Sequence, residues 1–175
     1  MAFNDTLTTL HCARKGIADK EGQDLARMLL NNKTLRKLEL EGNNLGSMTA
    51  RMFAIALRKN KTLRYLDLES NNLTVDGDST TGIEEMIRAL STNTTLLSLN
   101  LGNNKLDEQI GRMFVDCLKI NETLIDFEFG GNNFRLEDVS TPLFFIADHF
   151  SSYLDPQNPR LVEKKQGQVR RGQTP

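Results

Sequence analysis

The sequence predicts an α/β solenoid of five strand–turn–helix units, with a parallel sheet on the concave face and helices on the convex face. Three observations predict it. The pattern Leu-x-x-Leu-x-Leu-x-x-Asn-x-Leu fills residues 35–45 and returns at 63–73 and 96–106. An aromatic variant follows (Leu124, Phe127, Phe129, Asn132, Phe134), and a degenerate one opens the chain (Leu7, Leu10, Cys12, Lys15, Ile17). An Asn-x-Thr tripeptide marks the start of each unit at Asn4, Asn32, Asn60, Asn93 and Asn121, with spacings of 28, 28, 33 and 28 residues. Finally, the apolar period switches from two to 3.6 inside every unit.

Each unit is justified the same way. The x-Leu-x-Leu-x piece alternates apolar and polar residues, as a strand with one buried face does. Helical spacing then takes over, with Gly22, Leu25, Ala26 and Leu29 in the first unit and Ala50, Phe53, Ala54 and Leu57 in the second. Ile83, Met86, Ile87 and Leu90 follow in the third unit, and Gly111, Phe114, Val115 and Leu118 in the fourth. Gly or Ala at the first of these places lets helix and strand layers approach closely, Ile83 being the exception. No single unit can offset its own chain entropy, so stability comes from stacking. Asn43, Asn71, Asn104 and Asn132 are expected to form an internal ladder that satisfies buried backbone amides, with Lys15 ending it at the terminal unit. The Asn-x-Thr asparagines follow helical segments. There an asparagine can adopt the left-handed conformation that ends a helix, a structural role that explains these sequons better than glycosylation.

The third unit holds five extra residues within 74–82. Its Asp76-Gly77-Asp78 resembles the opening of a calcium loop, but the twelfth position is Ile87 instead of glutamate. The insert reads as a lengthened strand-to-helix loop. All four prolines lie at or beyond Pro142, so the repeats end before it. Thr141-Pro142 reads as an N-cap and first helical residue, opening a helix over about 141–154 that covers the last open core. The repeat domain then spans 1–155, with units from about 4, 32, 60, 93 and 121. A polar, aperiodic basic tail occupies 156–175.

The chain of 175 residues carries a net charge of −1. The tail has Arg160, Lys164, Lys165, Arg170 and Arg171 against Glu163 alone, so an acidic body carries a basic tail. Cys12 and Cys117 are too few for a disulfide framework and read as small buried apolar residues. No apolar run is long enough to span a membrane, and the first unit begins too early for a leader sequence. A reducing, cytoplasmic setting is expected.

Catalytic chemistry is not expected. The two histidines, His11 and His149, have no cysteine or carboxylate cluster at metal spacing. No phosphate-binding loop, nucleophile elbow or kinase motif is present. The expectation is a protein that is not an enzyme and uses neither cofactor nor metal.

The outer face of the sheet is informative, because register lists its residues in columns. One column reads His11, Glu39, Asp67, Asn100, Glu128, and the next Ala13, Glu41, Glu69, Gly102, Gly130. Beside them run Thr9, Lys37, Tyr65, Ser98, Asp126, then Thr8, Arg36, Arg64, Leu97, Ile125. Strands stack about 4.8 Å apart, so Glu39, Glu41, Asp67 and Glu69 concentrate negative charge beside Tyr65, with Arg36 and Arg64 as the nearby compensating cations. Like charges on neighbouring strands cost stability, which makes Glu39, Glu41, Tyr65, Asp67, Glu69, Asn100, Asp126 and Glu128 the candidate contact residues for a basic protein segment. The five tail cations are a second candidate contact. A negative centre repels nucleic acid.

The units, Asn-x-Thr-Leu-x-x-Leu-x-Leu-x-x-Asn-x-Leu followed by an amphipathic helix, resemble ribonuclease-inhibitor-type leucine-rich repeats over roughly residues 4–138. Among small members, the chain resembles the repeat domain of tropomodulin-type actin pointed-end cappers and the short repeat proteins of ciliary axonemes. The resemblance implies a concave face that binds proteins and no catalytic residues. The reading is a non-enzymatic interaction module, a structural component of a larger cytoskeletal or axonemal assembly. The alternative is a soluble adaptor or inhibitor that sequesters a basic protein on the acidic face.

Overall fold

Leucines at every second strand position and apolar residues at helical spacing fold here into one sheet with helices packed behind it. The structure, a computed structural model, describes residues 4–75 and 79–133. The order is β1 (Thr9–His11), α1 (Asp19–Met28), β2 (Lys37–Glu39), α2 (Ser47–Lys59), β3 (Tyr65–Asp67), α3 (Thr81–Leu90), β4 (Ser98–Asn100), α4 (Glu108–Ile120) and β5 (Asp126–Glu128). All strand pairs are parallel and the sheet order is β1-β2-β3-β4-β5. Leu10, Leu38, Leu66, Leu99 and Phe127 stand in one row, pointing toward the helices. The predicted cap helix, the basic tail and the Asp76-Gly77-Asp78 stretch lie outside the described residues.

The core runs between sheet and helices without a break. Leu38, Leu66 and Leu99 are joined there by Phe53, Met86 and Phe114, all at most 2% exposed. At the last strand, phenylalanines take the leucine places. Phe114, Phe127 and Phe129 form a ring cluster with centroids 4.9 to 5.1 Å apart, within the favourable range for aromatic pairs. Cys117 is buried, but Cys12 is only partly so, because it directly follows β1, which among the described residues has a strand on one side only.

The predicted asparagine ladder is present. Asn71 Nδ2 donates to Leu40 O, Leu68 O and Glu69 O, each at 3.0 Å, while its Oδ1 accepts from Leu45 N–H at 3.1 Å. Asn43 and Asn132 repeat the arrangement, and Lys15 contributes only its backbone N–H, to Asn43 Oδ1. Asn104 differs. Its Nδ2 is satisfied, yet its fully buried Oδ1 has no hydrogen-bond partner, and the repeat before it is the one that carries the insert.

The Asn-x-Thr asparagines correct the expectation. Asn60 and Asn121, which end α2 and α4, have extended backbones (φ −67°, ψ 134° and φ −81°, ψ 110°), and none of the five repeat asparagines has positive φ. They form a second ladder instead. Asn60 Oδ1 accepts from Thr62 and Leu63 N–H, an Asx turn into the next strand. Its Nδ2 donates to Leu29 O and Asn32 O of the preceding repeat. Asn121 does the same, while Asn32 and Asn93 close the turn alike but donate to a single carbonyl, Asn4 O and Leu57 O. A side-chain amide that closes a turn and crosses to its neighbour satisfies more buried groups than a left-handed cap.

The small-residue expectation is also corrected. At Gly22 and Gly82 the close approach is to α2 or the loop before it and not to a strand. A Cβ on Gly22 would lie 2.5 Å from Leu45 and Thr49, and one on Gly82 would lie 2.0 Å from Ser47 O. In the third repeat the glycine therefore sits one place before Ile83. Helices are also capped across repeats: Asp19 Oδ1 in α1 accepts from Gly46 and Thr49 N–H at the start of α2, at 2.7 and 2.9 Å.

Candidate functional site

The register places the predicted columns side by side. His11, Glu39, Asp67, Asn100 and Glu128 form one row across the sheet, and Thr9, Lys37, Tyr65, Ser98 and Asp126 another. Because leucine alternates inward, both rows face away from the helices. Between them lies a concavity of about 250 Å³ whose lining includes Lys37, Glu39, Tyr65, Asp67, Asn100 and Glu128. Ser98 and Asp126 complete its far side, joined by a 2.8 Å hydrogen bond from Ser98 Oγ to Asp126 Oδ2. Tyr65 is 45% exposed, so its ring is open to a partner.

The acidic patch is not uniform, and its compensation comes from cations other than those predicted. Glu39 is paired by Lys37 Nζ at 2.5 Å and by His11 Nδ1. The Lys37 bond holds its carboxyl below the usual carboxylate range against the opposing effect of burial, with His11 adding to the lowering. Glu41 is paired by Arg14 at 2.6 Å. Arg64, expected to compensate the face, instead donates to Thr95 O at 2.6 Å. Neither it nor Arg36 forms an ion pair with a sheet carboxylate, because both precede the strands and lie on the loop edge.

Among the described residues Asp67 and Glu69 form no ion pair, although Glu39 and, more weakly, Asp67 hold the nearby Lys37 ammonium above its ordinary value. Glu69 accepts from the side-chain amides of Asn100 (2.9 Å) and Asn103 (3.1 Å). Asp67 accepts from Glu69 N–H at 3.0 Å. Burial pushes the Asp67 carboxyl above its ordinary value, partly offset by that bond, and the charges of Glu69, Glu41 and Glu39 push it up further. The half of the patch nearer β1 is therefore largely neutralised, while Asp67, in the lining of the concavity, forms no ion pair among the described residues.

Of the predicted contact residues, Glu39, Tyr65, Asp67, Asn100, Asp126 and Glu128 line the concavity together. Glu41 and Glu69 lie beyond the strand ends, engaged by Arg14 and by the two asparagines. The tail cations lie outside the described residues. Sequence reading passed over Lys37 and Ser98 as contact residues. The signal for them was their column, shared with Tyr65 and Asp126. Among the described residues, no group of His, Cys, Asp and Glu is arranged to hold a metal ion, and no helix is long and apolar enough to cross a membrane.

A stack of strand–helix units sharing one parallel sheet is the architecture of a solenoid. The sequence profile of the Leucine Rich repeat family matches residues 31–47, 59–77 and 92–114. The chain carries leucine-rich repeats over these segments. Its fold is similar to that of leiomodin-1 actin-binding site 2, at 23% identity and a TM-score of 0.76, covering 97% of this chain and 91% of that one. It is also similar to the tropomodulin C-terminal domain of Caenorhabditis elegans, at 15% identity and a TM-score of 0.74, covering 94% and 92%. No curated protein sequence matches the chain significantly.

Proposed function

We propose that the chain is a non-enzymatic protein-interaction module, a structural component of a cytoskeletal assembly that uses the concave sheet face as its contact. The observation that carries the reading is the concavity at Asp67, where a half-buried carboxylate forms no ion pair among the described residues beside the open ring of Tyr65. A lysine or arginine of a partner would supply the missing charge and stack on the ring. The fold shared with leiomodin-1 actin-binding site 2 and with tropomodulin supports a cytoskeletal partner. The finer setting is an actin-based assembly or a ciliary axoneme. Co-sedimentation with actin filaments and with microtubules, through detergent and rising salt, tests this. Retention on one polymer, lost in Tyr65→Ala/Asp67→Lys, is the expected result. Recovery of the whole chain in the supernatant with both polymers would overturn it.

A second reading is favoured by the same carboxylate. A soluble adaptor could sequester a basic protein on Glu39, Asp67, Asp126 and Glu128. Its binding would be strongly salt-dependent and abolished by Glu39→Lys/Asp67→Lys, with no retention on either polymer.

A further inference from the structure

The edge formed by the loops leading into the strands carries a charge pattern used by neither the fold nor the sheet face. The pentapeptide Asn-Lys-Thr-Leu-Arg occurs twice, at 32–36 and at 60–64. Asparagine closes the turn and leucine fills the core. Of the cations only Arg64 has a bond of this kind, donating to Thr95 O. Asn60 Nδ2 donates to Asn32 O at 3.0 Å and Arg64 N–H to Arg36 O at 2.7 Å. Lys61 is thereby held next to Lys33, and Arg64 next to Arg36. Segments 30–36 and 58–64 contain no carboxylate. Lys33, Arg36 and Lys61 are exposed, and among the described residues no ion pair involves them. Arg58 and Lys59, in the last turn of α2, suit the negative end of that helix and extend the same positive field.

Stacked like charges repel, and helix ends do not account for Lys33, Arg36 or Lys61, which lie in loops. The pattern is also local. The fourth repeat has Thr94 and Leu97 at these places, and the first has Asp5 and Thr8. We propose that this edge of the second and third repeats docks an acidic, carboxylate-rich segment of a protein partner. A continuous polyphosphate fits less well, because Glu39 and Asp67 follow Arg36 and Arg64 by only three residues and would repel its neighbouring charges. A peptide can place its carboxylates over the loops and turn uncharged or basic residues toward the sheet. The surface is separate from the concavity and does not depend on the reading given to it.

The test is fluorescence anisotropy of a labelled glutamate-rich peptide with the full chain, at low and at physiological ionic strength. Salt-sensitive binding is expected, weakened about tenfold or more in Lys33→Glu/Lys61→Glu and less in Lys33→Gln/Lys61→Gln. Asp67→Asn, which touches only the concavity, should leave peptide affinity unchanged or slightly higher. Circular dichroism of both lysine variants should match the unsubstituted chain, since the side chains are exposed. Absence of peptide binding, or equal affinity in the charge-reversed variant, would overturn the assignment. So would tighter binding of a DNA duplex or of phosphatidylserine vesicles than of the peptide, which would make the edge a polyphosphate or membrane contact.

Discussion

The first and second repeats share a 28-residue length and the same alternating pattern, yet they differ sharply in burial. Leu35, Leu38, Leu40, Leu45 and Phe53 of the second repeat are at most 1% exposed. In the first repeat Leu7 is 41% exposed, and Leu10, Cys12, Ile17, Leu25 and Met28 are only partly buried. The leucines are chemically equivalent. What differs is that β2 has a strand on each side and β1 on one. In a stacked fold, burial belongs to the junction between repeats, so the energetic weight of a residue is set by its neighbours.

Four substitutions break or sharpen that contrast. The largest effect is expected for Leu38→Ala, about 2–5 kcal/mol of lost stability, against less than half of that for Leu10→Ala. Urea unfolding midpoints check both. Equal losses would mean that the first repeat is covered in solution. Asn71→Ala should follow, at about 1–3 kcal/mol, because it leaves the buried Leu45 N–H unpaired and removes one of the two donors from Leu40 O and Leu68 O. Lys15→Asn, at the matching place of the first repeat, should change stability by less than about 0.5 kcal/mol, since among the described residues no strand precedes β1.

Asp19 links the two repeats, and Asp19→Ala should cost about 1 kcal/mol at neutral pH through loss of the cap on α2. Burial alone would raise the Asp19 carboxyl. The hydrogen bonds from Thr49, Gly46 and Gln23 outweigh it and leave the group below its ordinary value. A lowered carboxylate adds stability that is complete above its unfolded value and disappears as pH falls through the folded one. Midpoints of the unsubstituted and Asp19→Ala chains should therefore converge in acid. The smallest effect has the opposite sign. Asp67 is raised above its ordinary value, so its ionisation opposes folding. Asp67→Asn should stabilise the chain by a few tenths of a kcal/mol at neutral pH, with the gain shrinking as pH is lowered through the carboxylate range.

Strand and helix positions were readable because leucine recurs with two periods, and periodicity reports directly on which face is buried. The columns of the sheet followed, and the observed register reproduces them. Charge compensation did not follow. Arg36, Arg64, Lys37 and His11 all lie close to the acidic columns in sequence, and only side-chain direction decides that Lys37 and His11 reach Glu39 while Arg64 reaches Thr95 O. The second asparagine ladder had a visible signal, threonine two places and leucine three places after each asparagine. Its inter-repeat half was invisible, because Asn60 finds Leu29 O and Asn32 O across a distance the chain does not encode locally. Of the basic loop edge, Arg36 and Arg64 fell in one column, but Lys33 and Lys61 lie outside the columns and become neighbours only on stacking.

Both asparagine ladders reach backward to backbone carbonyls and never to a particular side chain. A carbonyl is the same in every unit, so such a junction does not distinguish one preceding unit from another. Units of this kind can be duplicated, deleted or shuffled during evolution while the surfaces they display diverge. Asn104 departs from that uniformity: its Nδ2 still reaches Leu68 O, but its oxygen has no donor next to the lengthened third unit.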